Sequence, residues 1–183
     1  AWLMYADDNQ GKVTIAFDTP SDVVPQVAGW LDGGLNYRGS TDNTNVALLG
    51  QGQLAPYLKS VGVYKCPADR SLSFGLTGEP RVRSISMSQM FRTWADGWST
   101  SPPWRIYKKT SDMTAPQPSG LWVFIDENPD SLNDAAYAVA MSQSLWQDGP
   151  SISHCGGCGF SFADGHSEIK KWKSATSKYT TVR

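Results

Sequence analysis

The chain has 183 residues, 40% of them hydrophobic, with 17 Gly, 11 Pro and a formal net charge of −1. That length supports one domain, residues 1–183, with a real core and much loop. Scattered basic residues give no electrostatic footprint for nucleic acid or an anionic membrane surface, and no apolar run approaches the roughly 20 residues that span a bilayer.

In chain order, Ala1-Trp2-Leu3-Met4-Tyr5-Ala6 is an apolar helical fragment without a cap, and it reads as the tail of a longer helix. Asp7-Asp8-Asn9-Gln10-Gly11 is turn chemistry, and Val13 to Phe17 alternates as a short strand would. The Ser40 to Asn45 run offers N-caps for a helix holding Val46 to Leu49, and a second short helix is expected around Leu54, Tyr57 and Leu58. From Ser71 to Pro118 the chain is loop-rich, with Val82 to Met87 as its strand. Leu121 to Ile125 is the most continuous apolar run and predicts a central strand ended by Asp126-Glu127-Asn128-Pro129-Asp130. Ala135 to Met141 suits helix by alanine propensity, but its place between turn-rich segments favours strand.

The stretch His154 to Trp172, HCGGCGFSFADGHSEIKKW, carries the most information. Phe160 and Phe162 alternate along a first strand and share one face, Asp164-Gly165 is a reversal pair, and His166 to Trp172 forms the return strand. His154 stands nine residues before Asp164-Gly165, giving H-x9-D-G.

With Trp2-x-x-Tyr5-x-x-Asp8-Asn9-x-Gly11, Leu54-x-Pro56-Tyr57-Leu58, Tyr64-Lys65-Cys66-Pro67-x-Asp69, Arg83-Ser84-Ile85-Ser86-Met87 and Phe124-x-Asp126-Glu127, the chain resembles the prepilin-type H-x9-D-G proteins. These are similar to the major pseudopilins of type II secretion in Gram-negative bacteria. Cys155 and Cys158 depart from the pattern, standing where such proteins usually carry Asn, Gly or Ala. The resemblance implies a pilin-like α+β fold, with an N-terminal helix remnant packed on an antiparallel sheet bearing long loops. It also implies a structural, non-enzymatic filament subunit of a type II secretion or type IV pilus-like system, serving protein export or surface display. Its partners would be other pseudopilin subunits and the secretion machinery. An apolar helix preceding Ala1 would hold the precursor in the inner membrane, with this domain periplasmic or at the cell surface.

Five sets of residues are candidates for chemistry. Asp126, Glu127, Asp130 and Asn133 lie in an oxygen-rich loop that suits calcium, or an ordinary solvated turn. Calcium binding by the C-terminal loops of major pseudopilins is what the resemblance adds. Cys155 and Cys158 suit a local disulfide, which an oxidising compartment favours, or free thiols, or half of a zinc site completed by His154 and His166. Cys66 reads as a buried free cysteine, or by resemblance as one whose partner lies upstream of Ala1. His154 and Asp164 with Gly165 form the motif, read as structural because no activated nucleophile accompanies them. Among eight Trp, Trp94, Trp98 and Trp104 fall in loops. They raise the competing reading of a secreted carbohydrate-binding module, or the bland one of rings covering a thin core.

Overall fold

The computed structural model describes residues 1–16, 28–92, 104–140 and 146–175. Its first helix, α1 (Trp2–Asp8), buries Trp2 and Ala6. Four residues apart, the two lie on one helical face. Seven residues are too few for a helix to persist alone in water, so this burial is what holds α1. Gln10 and Gly11, at φ of 59° and 76°, then reverse the chain. Val13 to Ala16 follow as an extended segment tied by single bridges, Lys12 to Lys109 and Ile15 to Gly29, where the alternation predicted a strand. Its amides go instead to scattered loop carbonyls, Val13 N–H to Lys108 O at 3.0 Å and Ala16 N–H to Phe91 O at 2.8 Å, so no ladder builds up. Phe17 lies outside the described residues.

Asn45 caps the short helix α2 (Val46–Leu49), its side chain accepting the Ala47 amide at 3.1 Å. The expected second helix is a 3-10 turn, Ala55–Tyr57, followed by another at Val61–Tyr64. Pro56 at its second position fits the start of such a turn and not the middle of a longer helix.

Among the described residues, five strands form one sheet: β1 (Ile85–Ser88), β2 (Trp122–Asp126), β3 (Ala136–Tyr137), β4 (Gly157–Phe162) and β5 (Ser167–Lys171), in the order β3-β1-β2-β4-β5. The class is α+β, and the apolar run Leu121 to Ile125 supplies the central strand, as expected. One correction concerns the sheet's sense: β3 runs parallel to β1 while the other pairs are antiparallel, so the sheet is mixed. The predicted β1 starts later than Val82. The Val82 and Ser84 amides are taken by Asn43 and Tyr64 carbonyls, so the ladder begins only beyond them.

The main core gathers Trp2 and Ala6 of α1 with Trp30, Leu54, Met87, Phe91, Val123 and Ala163. A register shift between Trp122 and Phe124 turns the rest of β2 over. Phe124 then meets Trp30 at 4.9 Å, while Trp122 and Ile125 face a second cluster with Tyr137, Cys158 and Phe160. Phe160 and Phe162 do share a face, with ring centroids 6.3 Å apart, but they are half-buried and Phe160 packs in this second cluster.

Candidate functional site

The H-x9-D-G motif divides between the two ends of β4. At the tip, Gly165 takes φ of 94°, and a Cβ on it would lie 3.2 Å from Leu3 Cδ1 of α1. The turn therefore favours glycine by its positive φ, while the Leu3 side chain would have to yield only slightly to a Cβ. Asp164 Oδ1 accepts the His166 amide at 3.1 Å and lies 2.5 Å from His166 Nδ1. His166, stacked at 4.3 Å on Phe162, holds the Asp164 carboxyl below its ordinary range through that hydrogen bond.

His154 sits at the other end, in a turn closed by Gly156 N–H donating to Ile152 O at 3.0 Å. Six residues of β4 put about 17 Å between the two ends, so His154 and Asp164 do not meet. The partner of His154 is Asp126, the last residue of β2: Nε2 lies 2.8 Å from Asp126 Oδ2. The same oxygen accepts the Gly159 amide at 2.9 Å. A Cβ at Gly159 would fall 2.8 Å from that oxygen, so the carboxylate reaches the strand only because residue 159 has no side chain.

Cys66 completes the group, its Sγ 3.5 Å from the same Nε2. The cysteine follows the 3-10 turn Val61–Tyr64, and its amide donates to Ser84 Oγ at 2.7 Å. Ala68 N–H donates to the sulfur at 3.4 Å. Burial, with Asp126 adding to it, pushes the Cys66 thiol above its ordinary range. Three sequence-distant motifs thus meet: the Cys of Tyr-Lys-Cys-Pro, the Asp of Phe-x-Asp-Glu and the His of H-x9-D-G. Asp126 and Gly159 also line a groove of about 700 Å³ walled by Trp30, Leu58, Tyr64 and Phe124.

The oxygen-rich loop does not gather as one ligand set. Asp126 turns to His154, whereas Glu127, next in the chain, lies buried with Ser86 Oγ 2.5 Å from Oε2. Burial foremost, then the nearby Asp148 carboxylate, drive the Glu127 carboxyl far above its usual range, and burial raises Asp148 as well. Asn133 Oδ1 caps the Asp134 amide at 2.7 Å. Around Asp130 the loop carbonyls of Pro129 and Leu132 accept from Arg81 at 2.8 and 2.7 Å. Among the described residues, the group of three His, Cys or carboxylate donors that converges is Cys66, Asp126 and His154.

The cysteines also need correction. Cys155 and Cys158 are unbridged. Cys155 is exposed in the turn at φ of 53°, while Cys158 is fully buried in β4 within the second cluster. Burial there raises the Cys158 thiol strongly. The pair accordingly offers one metal neither two thiolates nor His166, which is engaged at the far tip. Of the loop tryptophans, Trp94 and Trp98 lie outside the described residues, and Trp104 is about a third exposed beside a shallow cleft with Arg105, Tyr107 and Trp122.

Sequence reasoning missed an aromatic row on the outer face: Trp122 to Phe160 at 5.9 Å, Phe160 to Trp172 at 6.2 Å and Trp172 to Trp146 at 5.8 Å. Part of its signal was available, since Trp122 and Phe160 both lie on segments predicted as strands. No helix among the described residues is long and apolar enough to cross a membrane. Compared with protein-family models, curated proteins and solved structures, the chain matches none.

Proposed function

We propose that the chain is the outward-facing domain of a pseudopilin-like filament subunit and carries no catalytic activity of its own. The observation that carries this reading is the convergence of Cys66, Asp126 and His154, which come from separate segments of the prepilin-type pattern and meet at one point. The contact of Gly165 with Leu3 supports it further, because the Asp-Gly tip then serves to seat the hairpin against the N-terminal helix. In this reading the fold is pilin-like. An apolar helix continuous with α1 anchors the precursor in the inner membrane and later packs in the filament, leaving the sheet outside for export or display.

Two features support a structural over a catalytic role. In a Cys-His-Asp triad the carboxylate orients one imidazole nitrogen while the thiol faces the other; here Asp126 and Cys66 both address Nε2. The thiol is also raised by burial, opposite to what an activated nucleophile needs. The carbohydrate module is the competing reading, and the outer aromatic row gives it a surface. Yet its rings cross at 79°, 65° and 71°, an edge-on interlock and not the coplanar faces on which a sugar stacks.

Antibodies against this chain, used for immunogold labelling of sheared filaments from cells that make it, provide the test. Label along filaments is expected. A protein recovered only as a soluble secreted species and retained by polysaccharide would replace this reading with the module.

A further inference from the structure

We infer that Cys66 Sγ, Asp126 Oδ2 and His154 Nε2 form a binding site for a thiophilic divalent ion of the zinc class, with one coordination position left open toward the groove. Their three donor atoms lie within 4.8 Å of one another. Ligands at ordinary zinc bond lengths and tetrahedral angles are about 3.3 to 3.6 Å apart, and sulfur and imidazole nitrogen already stand at 3.5 Å. The carboxylate is closer, at 2.8 Å, because a hydrogen bond now joins it to the ring. A cation takes the place of the proton in that bond.

The three groups already crowd one point. One N–H cannot point at both Asp126 and Cys66, yet both crowd the same nitrogen. An ion at their common focus satisfies all three at once. The surroundings are those of a supported metal site. Gly159 N–H donates to the carboxylate, Ala68 N–H to the sulfur, and Ser84 fixes the Cys66 backbone. On uptake the thiol gives its proton to solvent and His154 carries its remaining proton on Nδ1. A sulfur ligand selects against calcium and magnesium, which prefer oxygen. Three protein ligands leave the fourth position to water or to a donor atom entering the groove that Asp126 and Gly159 line. The inference does not rest on the filament reading, since a carbohydrate module would hold the ion equally well.

The test uses the full chain, stripped with chelator and titrated with zinc(II) or cobalt(II). One equivalent of either ion is expected, and cobalt should bring a thiolate-to-metal charge-transfer band with the intense visible bands of four-coordination. Cys66→Ser should abolish the charge-transfer band. Asp126→Asn keeps the shape of the side chain and its acceptance of the Gly159 amide, and should weaken zinc binding tenfold or more while leaving the metal-free protein folded. His154→Gln should do the same, and Cys155→Ser should change nothing. Absence of stoichiometric uptake, a charge-transfer band that survives Cys66→Ser, or one lost in Cys155→Ser would overturn the assignment, as would unchanged affinity in folded Asp126→Asn.

Discussion

Gly159 shows how much rests on a missing side chain. Its amide and the empty space above its Cα let Asp126 lie flat against β4 and reach His154. Gly159→Ala must push the carboxylate away and leave buried polar atoms without partners, a cost of about 1 to 3 kcal/mol. Gly34→Ala is the control, because no atom lies within 4 Å of its added Cβ; urea unfolding should find it neutral or slightly stabilising. Glu127 makes the second residue-scale case. Its folded carboxyl is raised above the unfolded value by burial and by Asp148, so the folded state binds the proton more tightly. Stability from this group is then fullest below about pH 4 and is lost as pH rises through the raised folded value. Asp148 acts in the same direction. Glu127→Gln, which cannot ionise, should flatten the decline in unfolding free energy between about pH 5 and pH 8. A wild-type protein that gains stability over that range would refute the shift.

At the scale of elements, the β4–β5 hairpin was legible because every cue is local: alternation, a reversal pair and a return strand. Which core its rings enter was not. The register shift in β2 assigns Phe124 to the helix-side core and leaves Phe160 on the outer face with Trp122 and Trp172. Half-buried, Phe160 should cost less on truncation than a fully enclosed ring. Phe91, at 0% exposure and 5.4 Å from Trp2, should cost about 3 to 5 kcal/mol as Phe91→Ala, and Phe160→Ala about half of that. Equal costs in chemical denaturation would mean that the outer cluster is as closed as the main core.

Across the whole molecule, two buried arginines hold the acidic loop to the sheet. Arg81 donates to the Pro129 and Leu132 carbonyls and covers the Tyr37 ring at 4.8 Å; Arg83 donates to Asp134 O at 2.8 Å and to Ile85 O at 3.0 Å. Burial lowers the pKa of both guanidinium groups, that of Arg83 to about 10, which leaves Arg83 charged at neutral pH. With these cations satisfying the loop's carbonyls and its carboxylates pointing apart, calcium has no gathered ligand set to complete. The melting temperature should therefore be the same in millimolar calcium as in chelator, whereas zinc should raise it. At a hundredfold excess over Kd, an ion bound only to the native state adds roughly 2.7 kcal/mol. A calcium-dependent rise would restore the loop as a cation site.

Taken alone, the sequence determined what depends on neighbours along the chain: a helix cap within the Ser40 to Asn45 run, the central strand from Leu121 to Ile125, the Asp164-Gly165 reversal and the shared face of Phe160 and Phe162. Those follow from backbone preference and period-two alternation, which act within a few residues. It also contained every member of the candidate site, since Cys66, Asp126 and His154 each stood in a conspicuous motif. Their grouping was decided only in three dimensions. His154 is separated from Asp126 by 28 positions and from Cys66 by 88, and local reading drew it instead toward Cys155, Cys158 and Asp164. Strand geometry rules out Asp164 and Cys158: β4 carries Asp164 to its far end and turns Cys158 into the second cluster, while β2, pairing beside it, brings the end of its own strand to His154. Proximity along a chain says little about which side chains meet once strands lie side by side, and that is why the chemistry of this protein became visible only with its sheet.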